Sequence, residues 1–149
     1  MMRLNKSTRY ALYAVMEMAQ ADEDAPLTAA RVAERYRIPL AVLAKVLQQL
    51  VRAGIAVGTR GAGGGYRLAA PPSQLTVLDV IEAFEPTRGR NDCLIRESDP
   101  GPCPELLDCR LRHLFDEVDE LARCTFASVT LETLVGRSRH EPDLRARAR

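Results

Sequence analysis

Three of the four cysteines, Cys93, Cys103 and Cys109, fall in one stretch, CLIRESDPGPCPELLDCRLRH, which also carries His113, one of only two histidines. Thiolates and imidazoles are the side chains that bind soft and borderline metals, and thiols also respond to redox state. The spacing is Cys-x9-Cys-x5-Cys. Three cysteines and a histidine can close a tetrahedral zinc site. Three thiolates can instead hold an iron–sulfur cluster and leave one position open. Metal-free thiols acting as a redox switch are a third possibility, and inert thiols a fourth. Spacing alone does not separate them. Cys124 stands apart, between Leu121 and Phe126 in a helical pattern, and reads as a buried or interfacial thiol. His140 reads as exposed and idle.

The chain that must position these residues has 149 of them, enough for one domain with an extension and for a core without disulfide staples. Apolar residues are 46% and charged residues 28%, as in ordinary globular proteins. No stretch reads as a signal peptide or a membrane span, so the cytosol is expected, and with it reduced cysteines. The net charge of +1 conceals an asymmetry. Residues 1–75 carry 10 Lys/Arg against 5 Asp/Glu, residues 76–135 carry 6 against 13, and residues 136–149 carry 5 against 2. A basic front and an acidic middle fit a front that meets a polyanion while the rest does another job.

Residues 5–21 read as a helix, with Asn5 or Ser7 as cap and Tyr10, Leu12 or Tyr13, Met16 and Ala19 or Gln20 at helical spacing. Asp22 to Pro26 stop it. Thr28 caps a short second helix in which Val32 and Tyr36 are four apart. Ile38-Pro39 breaks that helix and opens a third, PLAVLAKVLQQLVRA, with Leu40, Leu43, Val46 or Leu47 and Leu50 inward and Gly54 at its end. Ile55–Val57 and Tyr66–Leu68 then flank four glycines in five residues, a hairpin with a basic tip. A helix-turn-helix followed by a basic hairpin is the order of a winged helix. The fold class expected is mainly α with a small β-hairpin wing.

A helix lying in the DNA major groove needs polar or cationic side chains on its outer face. Lys45, Gln48 and Gln49 are the candidates, with Arg52 at the far end. Arg60 and Arg67 flank the glycines, where a wing would reach phosphates or the minor groove. Thr28, at the start of the second helix, is counted with this face. Leu40, Ala41 and Val42 cannot hydrogen-bond a base edge, although they could touch a thymine methyl.

Thr76–Glu85 reads as a further helix with a capping box, Val77, Val80 or Ile81 and Phe84 inward. From about Leu106 a long amphipathic helix follows. Its apolar residues, Leu111, Leu114 or Phe115, Val118, Leu121 or Ala122, Phe126 and Val129, recur at about 3.5. A second copy of the chain is the natural cover for that stripe. The division expected is therefore a DNA-binding domain at 1–85, a cysteine-containing sensor loop at 86–109, a dimerisation helix at 110–135 with a short cap helix at Thr130–Val135, and a disordered basic tail at 136–149.

In this order of parts the chain resembles the IscR/NsrR/RirA regulators, the bacterial Rrf-two winged-helix family. The resemblance rests on MRLNKSTRYALYA (Met2 to Ala14), RGAGGGYRLA (Arg60 to Ala69), TVLDVIEAFE, the three spaced cysteines and TLETLV, and spans roughly residues 2–135. It implies a cytosolic, homodimeric transcription regulator that binds a double-stranded DNA operator. It also implies an iron–sulfur cluster, 2Fe-2S or 4Fe-4S, on Cys93, Cys103 and Cys109. By position, Lys6 and Arg9 would lie near phosphates, Lys45 at a base-reading place, and Arg60 and Gly61 in the wing. Some members take a fourth ligand three residues after the last cysteine, which here is Arg112. His113 is one further on, about 100° round a helix. Other members use the first helix of the partner subunit, where this chain has Arg9.

An enzyme is disfavoured by the lack of a Ser/His/Asp or Cys/His set, of a Cys-x-x-Cys pair and of a nucleotide motif. A purely structural dimer leaves the basic wing without a role. The reading reached is a regulator, a repressor, whose DNA affinity is set by the cluster, with a zinc site or a thiol switch on the same cysteines as the alternative.

Overall fold

The computed structural model describes residues 4–21, 26–61, 63–85 and 109–137. They form helices α1 (Lys6–Gln20), α2 (Ala29–Tyr36) and α3 (Leu40–Arg52), strands β1 (Ala56–Thr59) and β2 (Gly65–Leu68), then helices α4 (Val77–Glu82), α5 (Arg110–Ala127) and α6 (Leu131–Arg137). The mainly helical chain with one hairpin is the architecture expected.

Asn5 caps α1, its side-chain oxygen accepting from the Thr8 N–H at 2.8 Å. The face that α1 buries is Ala11, Ala14, Val15 and Met18, not the stripe through Tyr10, Tyr13 and Met16 that the spacing suggested. Tyr13 stays 42% exposed. Two fully buried alanines let α1 approach its neighbours closely, and it packs against α2, α3, α4, α6 and β2. Burial of Glu17 was not legible in the sequence. Its carboxylate accepts from the Tyr36 hydroxyl at 2.7 Å and pairs with Arg35 at 3.2 Å, so a buried charge has both a donor and a counter-ion. Tyr13 stacks on Tyr36 with ring centroids 4.5 Å apart.

The turn from α2 to α3 is made by Arg37, whose φ of 52° puts a non-glycine residue in the left-handed region. Ile38 plugs the core beneath it, and the Pro39 carbonyl accepts from Val42 and Leu43 to start α3. Leu43, Val46, Leu47 and Leu50 face inward as expected. Leu40 does not. It sits in the first turn at the rim of the core and is 53% exposed. Gly54, at φ 73°, ends the turn after α3.

In the hairpin, Ala56 pairs with Leu68, Val57 with Arg67, Gly58 with Tyr66 and Thr59 with Gly65. Leu27 adds a bridge to the outer side of β2, exchanging two 2.9 Å backbone bonds with Tyr66, which ties the wing to the entry of α2. A Cβ at Gly64 would run into the Thr59 carbonyl, so the tip requires glycine there.

Thr76 and Asp79 form the expected capping box of α4. The helix stops at Glu82, short of Glu85. α5 begins at Arg110, and residues 86–108, which include the expected start near Leu106, lie outside the described residues. α5 buries no residue. After it the chain returns: Thr130 bridges Thr76, the Val77 N–H donates to the Val129 carbonyl at 2.9 Å, and Leu131 is fully buried. α6 runs to Arg137, two residues beyond the expected end at 135, and 138–149 lie outside the described residues.

Burial, with the bond to Glu17 in support, pushes the Tyr36 hydroxyl up to about 12 from its usual 10.0. The folded chain therefore holds this proton more tightly than the unfolded one. The stabilisation is complete below the unfolded value and is lost as pH rises toward the folded one. Denaturant unfolding between about pH 9 and 12 should show stability falling with pH, and Tyr36→Phe should flatten that slope.

Candidate nucleic-acid interface

The buried stripe of α3 fixes its opposite side. Ala41, Lys45, Gln48 and Arg52, spaced i, i+4, i+7 and i+11, are all exposed and form one outward row. A groove runs along each flank of that row. The first, of about 690 Å³, is lined by Asn5, Lys6 and Ser7 at the start of α1, by Ala41, Val42, Lys45 and Gln49 of α3, and by Ala83 and Phe84 after α4. The second, of about 590 Å³, lies between α3 and the hairpin and is lined by Thr28, Gln48, Val51, Arg52, Arg60 and Tyr66, among others. Among the described residues, neither groove has an acidic side chain in its lining.

Of the sequence candidates, Lys6, Lys45 and Gln49 come together in the first groove, and Thr28, Gln48 and Arg60 in the second. Arg9, Gly61 and Arg67 line neither, although all three are exposed. Arg67 pairs in register with Val57 and shares its face of the hairpin. Thr28 also caps α2, accepting from the Arg31 N–H at 3.4 Å. The Gln49 amide is already engaged, donating to the Ala83 carbonyl at 3.1 Å.

That last bond belongs to a knot that sequence reading missed. One carboxylate oxygen of Glu85 accepts from the Asn5 N–H at 2.8 Å and the Thr8 hydroxyl at 2.5 Å. The Asn5 amide donates to the Phe84 carbonyl at 3.0 Å. Residues 83–85, immediately before the 86–108 segment that holds Cys93 and Cys103, are thus bound both to the start of α1 and to α3. No local signal marks Glu85, because its partners lie 77 and 80 residues away.

Among the cysteine-stretch candidates, Cys93 and Cys103 lie outside the described residues. Cys109 is the N-cap residue of α5, half-buried, with a free thiol that makes no capping bond. The His113 N–H donates to the Cys109 carbonyl at 3.1 Å, so the imidazole stands one turn along on the exposed side. Arg112 takes the inward position. Its side chain is only 17% exposed, Nε lies 3.5 Å from Asp116, and Nη1 is buried with no hydrogen-bond partner among the described residues. No three His, Cys, Asp or Glu residues gather into a metal site among the described residues. Cys124, read as buried or interfacial, is exposed on the protomer, its thiol 3.7 Å from Glu120 Oε1. No described helix is long and apolar enough to cross a membrane.

Comparison with known proteins gives this geometry a family. The chain is similar to BadM of Rhodopseudomonas palustris, named as an HTH-type transcriptional regulator, with 42% identity over 90% of this chain and 81% of that protein. It is 31% identical to the HTH-type transcriptional regulator IscR of Photorhabdus laumondii, over 90% of this chain and 79% of that one. Among solved structures, CymR, the global cysteine regulator of B. subtilis, superposes with a TM-score of 0.73 at 23% identity, covering 92% of this chain and 98% of CymR. IscR of T. potens does so at 0.71 and 22%, covering 92% and 88%. These two likenesses show the winged-helix regulator fold. The model of the Rrf2 family, iron-dependent transcriptional regulators, matches residues 4–137, and the chain belongs to that family: it is a DNA-binding transcriptional regulator.

Proposed function

We propose that the chain acts as a homodimeric repressor in the cytosol, with α3 in the major groove of its operator and the hairpin reaching across the flanking backbone. The observation that carries this reading is the exposed row Ala41, Lys45, Gln48 and Arg52, flanked by two grooves whose described lining holds Lys6, Lys45, Arg52 and Arg60 and no carboxylate. In this reading Lys45 and Gln48 meet base edges, with Gln49 beside them holding α3 to the 83–85 knot. Lys6, Arg9, Thr28, Arg60, Gly61 and Arg67 serve phosphates and the minor groove. The partner is a second copy, because Leu111, Leu114, Phe115, Val118 and Leu121 of α5 are between 44% and 69% exposed. An apolar stripe of that length is normally covered by another subunit.

Cys93, Cys103 and Cys109 are proposed to hold an iron–sulfur cluster. Support comes from the iron-dependent family and from a free Cys109 thiol at the head of α5. When bound, such a cluster supplies a centre that responds to electrons, oxygen or nitric oxide. The chain's own residues make that response matter for DNA. Glu85 and Ala83 fix the near end of the 86–108 segment to α1 and α3, and Cys109 fixes the far end to α5. Any change in how the segment is held is thereby felt by the recognition helix and by the dimer helix together. The fourth ligand does not come from Arg112, a cation whose guanidinium is turned inward. His113, on the exposed side, takes that role only if a folded segment or a partner reaches it.

Three outcomes are expected. In duplex binding measured against salt, Arg60→Ala should lower affinity roughly ten-fold and reduce the salt slope by about 1. Absence of duplex binding at low salt overturns the regulator reading. Purified without oxygen, the protein should be coloured and contain iron and sulfide, and Cys109→Ala should bleach it. A colourless protein with one zinc per chain favours the zinc alternative, and a metal-free protein whose DNA binding responds to thiol oxidants favours the thiol switch. In sedimentation, wild type should be a dimer, and Leu114→Glu combined with Leu121→Glu should be a monomer of native helicity.

A further inference from the structure

The first turn of α3 is apolar where a DNA-reading helix usually presents hydrogen-bonding groups. Ala41 opens the outward row, and Val42, 40% exposed, is on the wall of the first groove beside it. The fold does not need them there. The core face of the same helix is complete without them, Leu43, Val46, Leu47 and Leu50 being at most 3% exposed. Their described surroundings are cationic or neutral: Lys45 is one turn along, Lys6 lies across the groove, and no acidic residue among the described ones lines it. An apolar knuckle set among cations fits a polyanion that carries apolar groups on its groove floor.

In the major groove of DNA only one apolar group is displayed by the standard bases, the C5-methyl of thymine. We propose that Val42, with Ala41 beside it, reads a thymine methyl, so that the operator half-site carries a thymine within one or two base pairs of the base met by Lys45. This inference rests on the reading that α3 lies in the major groove. It adds to it a base identity that neither side chain can specify by hydrogen bonding. Shape complementarity selects the methyl, and water is excluded between two apolar surfaces that the free protein and the free operator both leave wet. Lys6, across the groove, holds the helix against the phosphates closely enough for a contact that acts only at short range.

The test removes that methyl and nothing else. A duplex recovered from a random-sequence library by the full-length protein is resynthesised with deoxyuridine in place of each thymine in turn, and affinity is read by fluorescence anisotropy. Unmodified synthetic duplexes contain no 5-methylcytosine, so thymine is the sole source of the group. One or two positions per half-site should lose about four-fold in affinity, the equivalent of one buried methyl at roughly 0.8 kcal/mol. In Val42→Ala, which replaces an exposed side chain, thymine and uracil duplexes should bind nearly equally at that position. Wild type indifferent to every replacement overturns the inference, as does a Val42→Ala variant that keeps the full sensitivity. Failure to recover any duplex points instead to the regulator reading, and salt-dependent binding to bulk DNA separates the two failures.

Discussion

Everything in the described fold leans on the narrow face of α1. Ala11 and Ala14 present almost no side-chain bulk, so the backbones of α3 and α6 can approach, and Val15 and Met18 fill the space that remains. Cores are packed as densely as organic crystals, and a larger residue at either alanine would have to displace a neighbouring helix rather than a side chain. α3 is one of those neighbours, and its position relative to the hairpin is held by contacts on its buried face. α6 closes the same core from further along the sequence, with Leu131 fully buried, so a segment that follows α5 helps to hold the helix-turn-helix unit.

The surface divides along the same lines. The exposed side of α3 and the hairpin is cationic and amide-bearing. The exposed side of α5 is apolar, flanked by Asp116, Glu117, Asp119 and Glu120. One surface suits a polyanion, whose binding is dominated by phosphates, and the other suits a second apolar surface. They are joined by a 2.6 Å ion pair between Arg123 of α5 and Glu82 of α4, and by the backbone bridge from Thr130 to Thr76. α4 is thus the common support of α5 and, through residues 83–85, of α3.

The knot around Glu85 anchors the chain at the start of the 86–108 segment. Here the residues before it bind α1 through three hydrogen bonds and α3 through one. Cys109, the residue after it, is the N-cap residue of α5. The chain is therefore held on α1 and α3 before the segment and on α5 after it.

The sequence by itself determined the element order, the helix caps at Thr28 and Thr76, the turn glycines and the core stripe of α3 from Leu43 to Leu50, and left Asn5 and Ser7 as alternative caps of α1. Each of these is encoded by residues within a turn or two of one another, where periodicity and capping chemistry are readable. It also placed the cysteines between a DNA reader and an exposed helix. Tertiary structure decided which face of α1 is buried, because aromatic and alanine stripes are both compatible with helical spacing and only the neighbours choose. It turned Leu40 outward at the rim of the core, buried Glu17 against Tyr36, and tied Glu85 to Asn5 and Thr8. It also turned Arg112 inward and left His113 outside. These outcomes depend on partners distant in sequence, or on which side of a helix meets the rest of the fold. Neither the spacing of residues nor their chemistry carries that information before the chain has packed.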